Sequence, residues 1–198
     1  GGGVKLWGQQ APSLQTLRQT CLLLPEPVLL KRSVEQNFKF ALKSRDALAE
    51  FDERVDEALG LTGLDRNFLS KKHFELSSGQ TQRIAFALAL AQRAKLYLLD
   101  EPTNSLDLQK QLELCETVRS ISRTYDITFI IVLHDLGLAA RFADEAFVFA
   151  PGGGLYAYGK PSDVIHSAML REVYSVDAQV LYDEAGIPIV AARASLRT

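Results

Sequence analysis

Apolar residues recur at helical spacing through residues 33–60, first as Val34, Phe38 and Leu42 and then as Leu48, Phe51, Val55 and Leu59. The pattern predicts a mostly helical segment that is interrupted at Gly60 and Gly63 and ends near the polar residues 70–73. Ahead of it, residues 4–7 predict a short strand turning at Gly8. A polar stretch follows, and then an apolar run over 21–24. Pro25 and Pro27 stop that run from continuing as a helix. A second helix is expected just after Ser77, because Ser77 and Gln80 stand at the spacing of a capping box. Its body, residues 80–93, is rich in alanine, the best helix former, with Ile84, Leu88 and Ala91 on one face.

Beyond residue 93 the pattern alternates. Residues 96–99 read as a short buried parallel strand that ends in Asp100 and Glu101, 106–122 as a crossover helix, and 127–133 as the next strand, ending at His134 and Asp135. Residues 136–143 are helical. A strand at 146–149 turns at Gly152, Gly153 and Gly154 and pairs with 155–158. Short helices over 161–166 and 168–174 precede a terminal hairpin, 179–182 with 187–190, turning at 183–186. Strand, helix, strand, helix in the centre predicts an α/β sheet with right-handed crossovers.

Composition narrows the function classes. The chain has 198 residues, 47% of them hydrophobic, enough for a substantial core. Its 24 acidic and 22 basic side chains leave a formal net charge of -2, which argues against a nucleic-acid surface. No run of 18 apolar residues occurs, so no membrane-spanning helix is expected. Cys21 and Cys115 sit among apolar neighbours outside any Cys-x-x-Cys pair and read as buried reduced thiols. The tyrosines are scattered, and His73 and His166 have no ligand-spaced partners, so no structural zinc or iron site is expected.

Polar residues directly after buried strands carry the chemistry, because ligands of open α/β sheets sit beyond the carboxyl ends of the strands. Asp100 is placed to hold a magnesium ion beside a triphosphate. Glu101 is placed to take a proton from an attacking water, and His134 to touch a γ-phosphate. Each also reads as an ordinary polar strand end. Ser77, Ser78, Gly79 and Gln80 put small hydroxyls and a glycine at a helix N-terminus, where free N–H groups and the helix dipole favour an anion. An ordinary capped helix is the alternative.

These motifs together resemble the ATP-binding-cassette (ABC) transporter family. Leu76-Ser77-Ser78-Gly79-Gln80, followed by Gln82-Arg83, resembles the family signature, with Ser78 where a glycine is usual. Residues 96–100 resemble the Walker B strand, Glu101 the catalytic glutamate, residues 102–107 the D-loop with Asp107 as its acid, and His134 the switch histidine. The resemblance covers nearly the whole chain. It implies a P-loop NTPase-like, RecA-type α/β core with a helical signature subdomain, and an ATPase using ATP and Mg2+. Residues 1–24 then begin the core and 25–93 form the coupling loop and helical subdomain. Residues 94–159 carry Walker B, D-loop and switch histidine, and 160–198 the terminal helices and hairpin.

Two departures stand out. No Gly-x-x-x-x-Gly-Lys-Ser/Thr run occurs, and residues 2–8 resemble the segment that follows that loop in the family. The first strand, the phosphate loop and the adenine-stacking aromatic are therefore expected upstream of Gly1. In the coupling loop, Pro25 stands where the family has a glutamine that contacts magnesium, and Glu26 is the nearest group able to reach a metal.

The resemblance implies partners as well. They are a second nucleotide-binding domain docked head to tail, transmembrane permease subunits, and a substrate-binding protein met indirectly. The chain would lie peripherally on the cytoplasmic face of the membrane. Ser77, Gly79 and Gln80 would act on the partner's ATP, while Asp100, Glu101 and His134 serve the chain's own. Residues 159–165 resemble a stretch found in many importer subunits, and residues 170–177 resemble the region that follows in subunits for iron-siderophore, haem and cobalamin uptake, whereas residues 26–29 and 33–37 read like other families, phosphate importers and exporters included. A cassette that only lends its signature to a partner is the other reading.

Overall fold

The structure is a computed structural model and describes residues 3–104 and 106–196. The chain divides into two compact units, residues 1–132 and 133–198.

The first unit opens with a small antiparallel hairpin, β1 (Val4–Leu6) and β2 (Gln9–Ala11). A short helix, α1 (Leu14–Arg18), follows. Residues 9–18 read as a polar stretch in the sequence, and the reason α1 forms there is local. The Ser13 hydroxyl accepts from the Thr16 N–H at 3.1 Å while Thr16 Oγ1 accepts from the Ser13 N–H at 2.8 Å, a capping box that needs no apolar face.

The centre is a parallel three-stranded sheet in the order β3 (Thr20–Leu23), β4 (Leu96–Asp100), β5 (Thr128–Val132). Cys21, Tyr97 and Phe129 stand in one row across it, and Leu23, Leu99 and Ile131 in another. Both rows pack into the core, and Tyr97 and Phe129 stack with ring centroids 5.0 Å apart. Burial pushes the Tyr97 hydroxyl up to about 12.

The expectation of buried strands holds for β4 and fails in part for β5. Side chains alternate across a strand, so Leu22, Ile130 and Val132 point to the opposite face, where they are 58%, 51% and 49% exposed. β5 is also an edge of this sheet, since among the described residues only β4 pairs with it.

Three helices make the other side of the core: α2 (Val34–Lys43), α3 (Phe51–Leu61) and α4 (Ser78–Ala91). Val34, Phe38, Leu42, Val55, Leu59 and Ile84 bury their apolar faces together. The mostly helical segment expected over 33–60 forms as α2 and α3, and Asp46, with a left-handed φ of 56°, turns the chain between them. α5 (Leu108–Tyr125) crosses from β4 to β5 and packs Val118 and Ile121 against the same core.

The second unit has its own core of Val148, Val164, Ile165, Met169, Leu170 and Ala178. It contains α6 (Leu136–Phe142), the hairpin β6 (Ala146–Phe149) with β7 (Leu155–Gly159), α7 (Pro161–Val164) and α8 (Ser167–Tyr174). A long hairpin, β8 (Val176–Tyr182) with β9 (Pro188–Ser195), ends it. That hairpin is longer than its apolar alternation indicates, because a bulge between Asp177 and Ala178 shifts the register and hides the period.

Candidate functional site

The carboxyl ends of β3, β4 and β5 lie at one end of the first unit, as parallel pairing requires. β4 delivers two acids there. Asp100 is its last residue, half-buried and opposite Val132 of β5. Among the described residues its carboxylate has no cation within ion-pair distance. A hard, unpaired carboxylate at a strand end fits a magnesium ion, which takes one or two protein carboxylates and completes its shell with water and phosphate oxygens. No group of three or more His, Cys, Asp or Glu side chains converges as a ready-made metal cage among the described residues.

Glu101 is held by its backbone and its side chain. Its φ of 47° is left-handed, uncommon for a residue with a Cβ. Its N–H donates to the Val132 carbonyl at 3.2 Å, and its own carbonyl accepts from the Asn104 N–H at 3.1 Å. Asn104 Nδ2 also donates to Glu101 Oε2. A carboxylate fixed in this way meets a reacting water without having to be ordered first. The turn itself is braced from two helices. Gln82 Nε2 of α4 donates to the Pro102 carbonyl at 2.5 Å, and Gln111 Nε2 of α5 donates to the Thr103 carbonyl at 3.3 Å.

Sequence reasoning missed the parts played by Gln82, Asn104 and Gln111. The only available signal was that Asn104 lies three residues past Glu101, which identifies a contact only once the turn is known. Ser105 lies outside the described residues. Asp107 is the N-cap of α5. One oxygen accepts from the Lys110 N–H at 3.0 Å and the other pairs with Lys110 Nζ at 2.6 Å. The Lys110 side chain, then its N–H, holds the Asp107 carboxyl below its ordinary range.

The signature segment forms the start of α4. Ser77 is the N-cap. Its hydroxyl accepts from the Gln80 N–H at 3.3 Å and its N–H donates to Gln80 Oε1 at 3.1 Å, the expected capping box. Ser77 and Gln80 therefore serve the helix itself. The N–H groups of Ser78 and Gly79 have no acceptor among the described residues, and a Cβ built on Gly79 would meet nothing within 4 Å. Two orphan donors with open space before them form an anion-receptive corner. Ser77→Ala removes the cap and is expected to cost about 1 kcal/mol in chemical denaturation. A loss below roughly 0.3 kcal/mol, under the range for such caps, would mean that the box is not formed in solution.

Pro25 and Glu26 form a bend just past β3, with Glu26 exposed and without a side-chain partner among the described residues. His134 belongs to the second unit. It is exposed and immediately precedes Asp135, the N-cap of α6, whose Oδ1 accepts from the Leu138 N–H at 2.9 Å.

With this geometry in place, comparison with known proteins is specific. The ABC transporter family model matches residues 2–104. The tungstate uptake system ATP-binding protein of Campylobacter jejuni is 43% identical over 132 residues, covering 67% of this chain and 40% of that protein. The hemin import ATP-binding protein of Rhodopseudomonas palustris is 39% identical over 176 residues, covering 82% of this chain and 65% of that protein. This chain therefore spans less than two thirds of the length of either relative. Among solved structures, cbiO1 from Clostridium perfringens, part of an ABC transporter complex, superposes with a TM-score of 0.71 at 28% identity. That superposition covers 81% of this chain and 66% of that one.

Proposed function

The chain belongs to the ABC transporter family of ATP-binding proteins, with its P-loop NTPase-type α/β fold, and on that premise we propose that it powers an importer by ATP hydrolysis. The observation that carries the proposal is the pairing of an acid-ended strand with a serine-capped helix in one unit. Asp100 would hold the magnesium ion that neutralises phosphate charge when bound. Glu101, oriented by Asn104, would take the proton from the attacking water. His134 would contact the γ-phosphate. The N–H groups of Ser78 and Gly79 would close on the ATP of a second nucleotide-binding domain, with Ser77 and Gln80 shaping the helix start and Asp107 ordering the loop between the two sites.

Motion would pass to permease subunits through the segment from Pro25 to Phe40, with the chain peripheral at the cytoplasmic face. Among the described residues no helix is long and apolar enough to cross a membrane. The cargo we favour is a metal chelate of the iron-siderophore or haem class. Support comes from residues 170–177, and from a hemin-import relative whose match is too long to stop within the first unit. The match to the tungstate relative is shorter.

The test is Gly79→Ala in the assembled transporter. The site is open, so thermal stability should not fall. A methyl group before the two orphan N–H donors should nevertheless lower ATP hydrolysis roughly 10-fold or more, the scale for weakening preorganised donors. Unchanged turnover would remove the signature from the mechanism. These 198 residues carry no phosphate-loop lysine, so the assay belongs on the whole assembly.

A further inference from the structure

A cavity of about 780 Å³ opens in the first unit at the amino ends of β4 and β5, the opposite end of the sheet from Asp100 and Glu101. Leu61, Leu90, Ile121 and Ile127 form its apolar wall. Two aromatic rings line it while half open to solvent, Trp7 at 50% and Tyr125 at 44% exposure. Its volume lies in the range of small-molecule sites.

Most of the charge in its lining is already paired. Arg54 meets Glu50 at 3.0 Å and donates to the Ala91 carbonyl at 3.3 Å, and Arg93 meets Glu53 and Glu57, each at 2.8 Å. Lys95 and Asp126 are the charged lining residues left without an ion-pair partner among the described residues. They stand at neighbouring strand starts, since the Thr128 N–H donates to the Lys95 carbonyl at 3.2 Å, yet they do not pair with each other. Asp126 also closes α5 with a left-handed φ of 53°, at the carbonyl end of that helix, where a cation is favoured. Trp7 is a second, independent sign. With Gly8 it makes the two-residue turn between β1 and β2, at φ 50° and 77°, a turn that ordinarily takes Asn-Gly. A bulky ring on left-handed backbone is strained, and such strain gathers at ligand clamps. The indole N–H has no acceptor among the described residues.

We propose that this cavity binds a small aromatic amino acid, a flat ring carrying a carboxylate and an ammonium on one carbon. The ring lies against Trp7, Tyr125 and the aliphatic wall, where aromatic pairs add to simple burial. The carboxylate goes to Lys95 and the Trp7 N–H, and the ammonium to Asp126 at the end of α5. Unpaired charges of opposite sign beside one apolar cavity select a zwitterion, because a plain anion would meet Asp126 and a plain cation would meet Lys95. The site is independent of the ATPase reading. The five residues of β4, about 16 Å of strand, separate Lys95 from the far end at Asp100, so either can fail without the other.

Trp7 is the only tryptophan of the chain, so its fluorescence reports on the cavity directly. In the full chain, L-phenylalanine should change that emission saturably, half-maximal at roughly 0.1–1 mM, as suits a ligand of its size. 3-Phenylpropionate lacks the ammonium and phenethylamine lacks the carboxylate. Each should bind about tenfold more weakly, one charge-assisted contact having been lost. Lys95→Ala should weaken phenylalanine to the same extent and leave phenethylamine unchanged. Asp126→Asn keeps a residue that tolerates left-handed backbone, and should weaken phenylalanine while leaving 3-phenylpropionate unchanged. Trp7→Asn, followed by calorimetry, should lose binding while thermal stability holds or rises, since asparagine suits the turn. No saturable response to phenylalanine at roughly ten times the expected half-maximal concentration overturns the proposal. Equal binding of the three compounds overturns it too, as do variants that weaken every compound alike.

Discussion

Replacing Glu101 with glutamine is expected to lower ATP hydrolysis by the assembled transporter about 10²- to 10⁴-fold, the contribution of a positioned general base, while ATP binding persists. The substitution changes little else. Glutamine has the size of glutamate, its amide oxygen still accepts from Asn104, and its backbone keeps the hydrogen bond to Val132. The negative charge is lost, and with it the ability to take a proton. Single-turnover measurements would separate the chemical step from nucleotide binding. Turnover within about threefold of the parent, far below the range for such a base, would move the base elsewhere. Pro25 and Glu26, at the end of β3, would be the next place to look.

The largest stability effect is expected from Phe38→Ala. Phe38 is fully buried where α2 meets the common core of the first unit. Truncating a buried phenylalanine costs about 3–5 kcal/mol, the lost burial plus the cavity left behind. Domains hold only about 5–15 kcal/mol in total. The midpoint of urea unfolding, followed by far-ultraviolet circular dichroism, should therefore fall steeply. Phe40→Ala, two residues on and solvent-facing, should hardly move it. If the two variants unfold alike, the face assignment of α2 is wrong.

The parts of the molecule legible in the sequence are those set by short-range rules. Ser77 with Gln80 caps its helix within four residues, and the run ahead of Asp100 has the length and composition of a buried strand. Asp100 and Glu101 were therefore visible as strand-end acids before any coordinates. What brings Gln82, Gln111 and Asn104 to the same turn is the left-handed φ of Glu101 and the packing of α4 beside β3 and of α5 beside β5. No local pattern encodes those. α1 escaped notice for the opposite reason. It spans five residues, is held by Ser13 and Thr16, and leaves Leu14 and Leu17 71% and 58% exposed, so it has no buried stripe to read. The half-exposed outer face of β5 escaped because Thr128-Phe129-Ile130-Ile131-Val132 looks apolar throughout, and only the neighbours of a strand decide which side is covered.

That same strand governs how the chain behaves at high concentration. β5 has no proline or charged side chain, and no bulge interrupts its pairing with β4. These are the devices by which exposed strand margins usually resist joining one another. Its composition, β-branched and aromatic with no charge, is that of segments prone to cross-β stacking. Concentrated solutions of these 198 residues alone should thus associate margin to margin before the helices melt. A lysine placed at Ile130, on the solvent face, is the change most suited to extending storage life without touching Asp100 or Glu101.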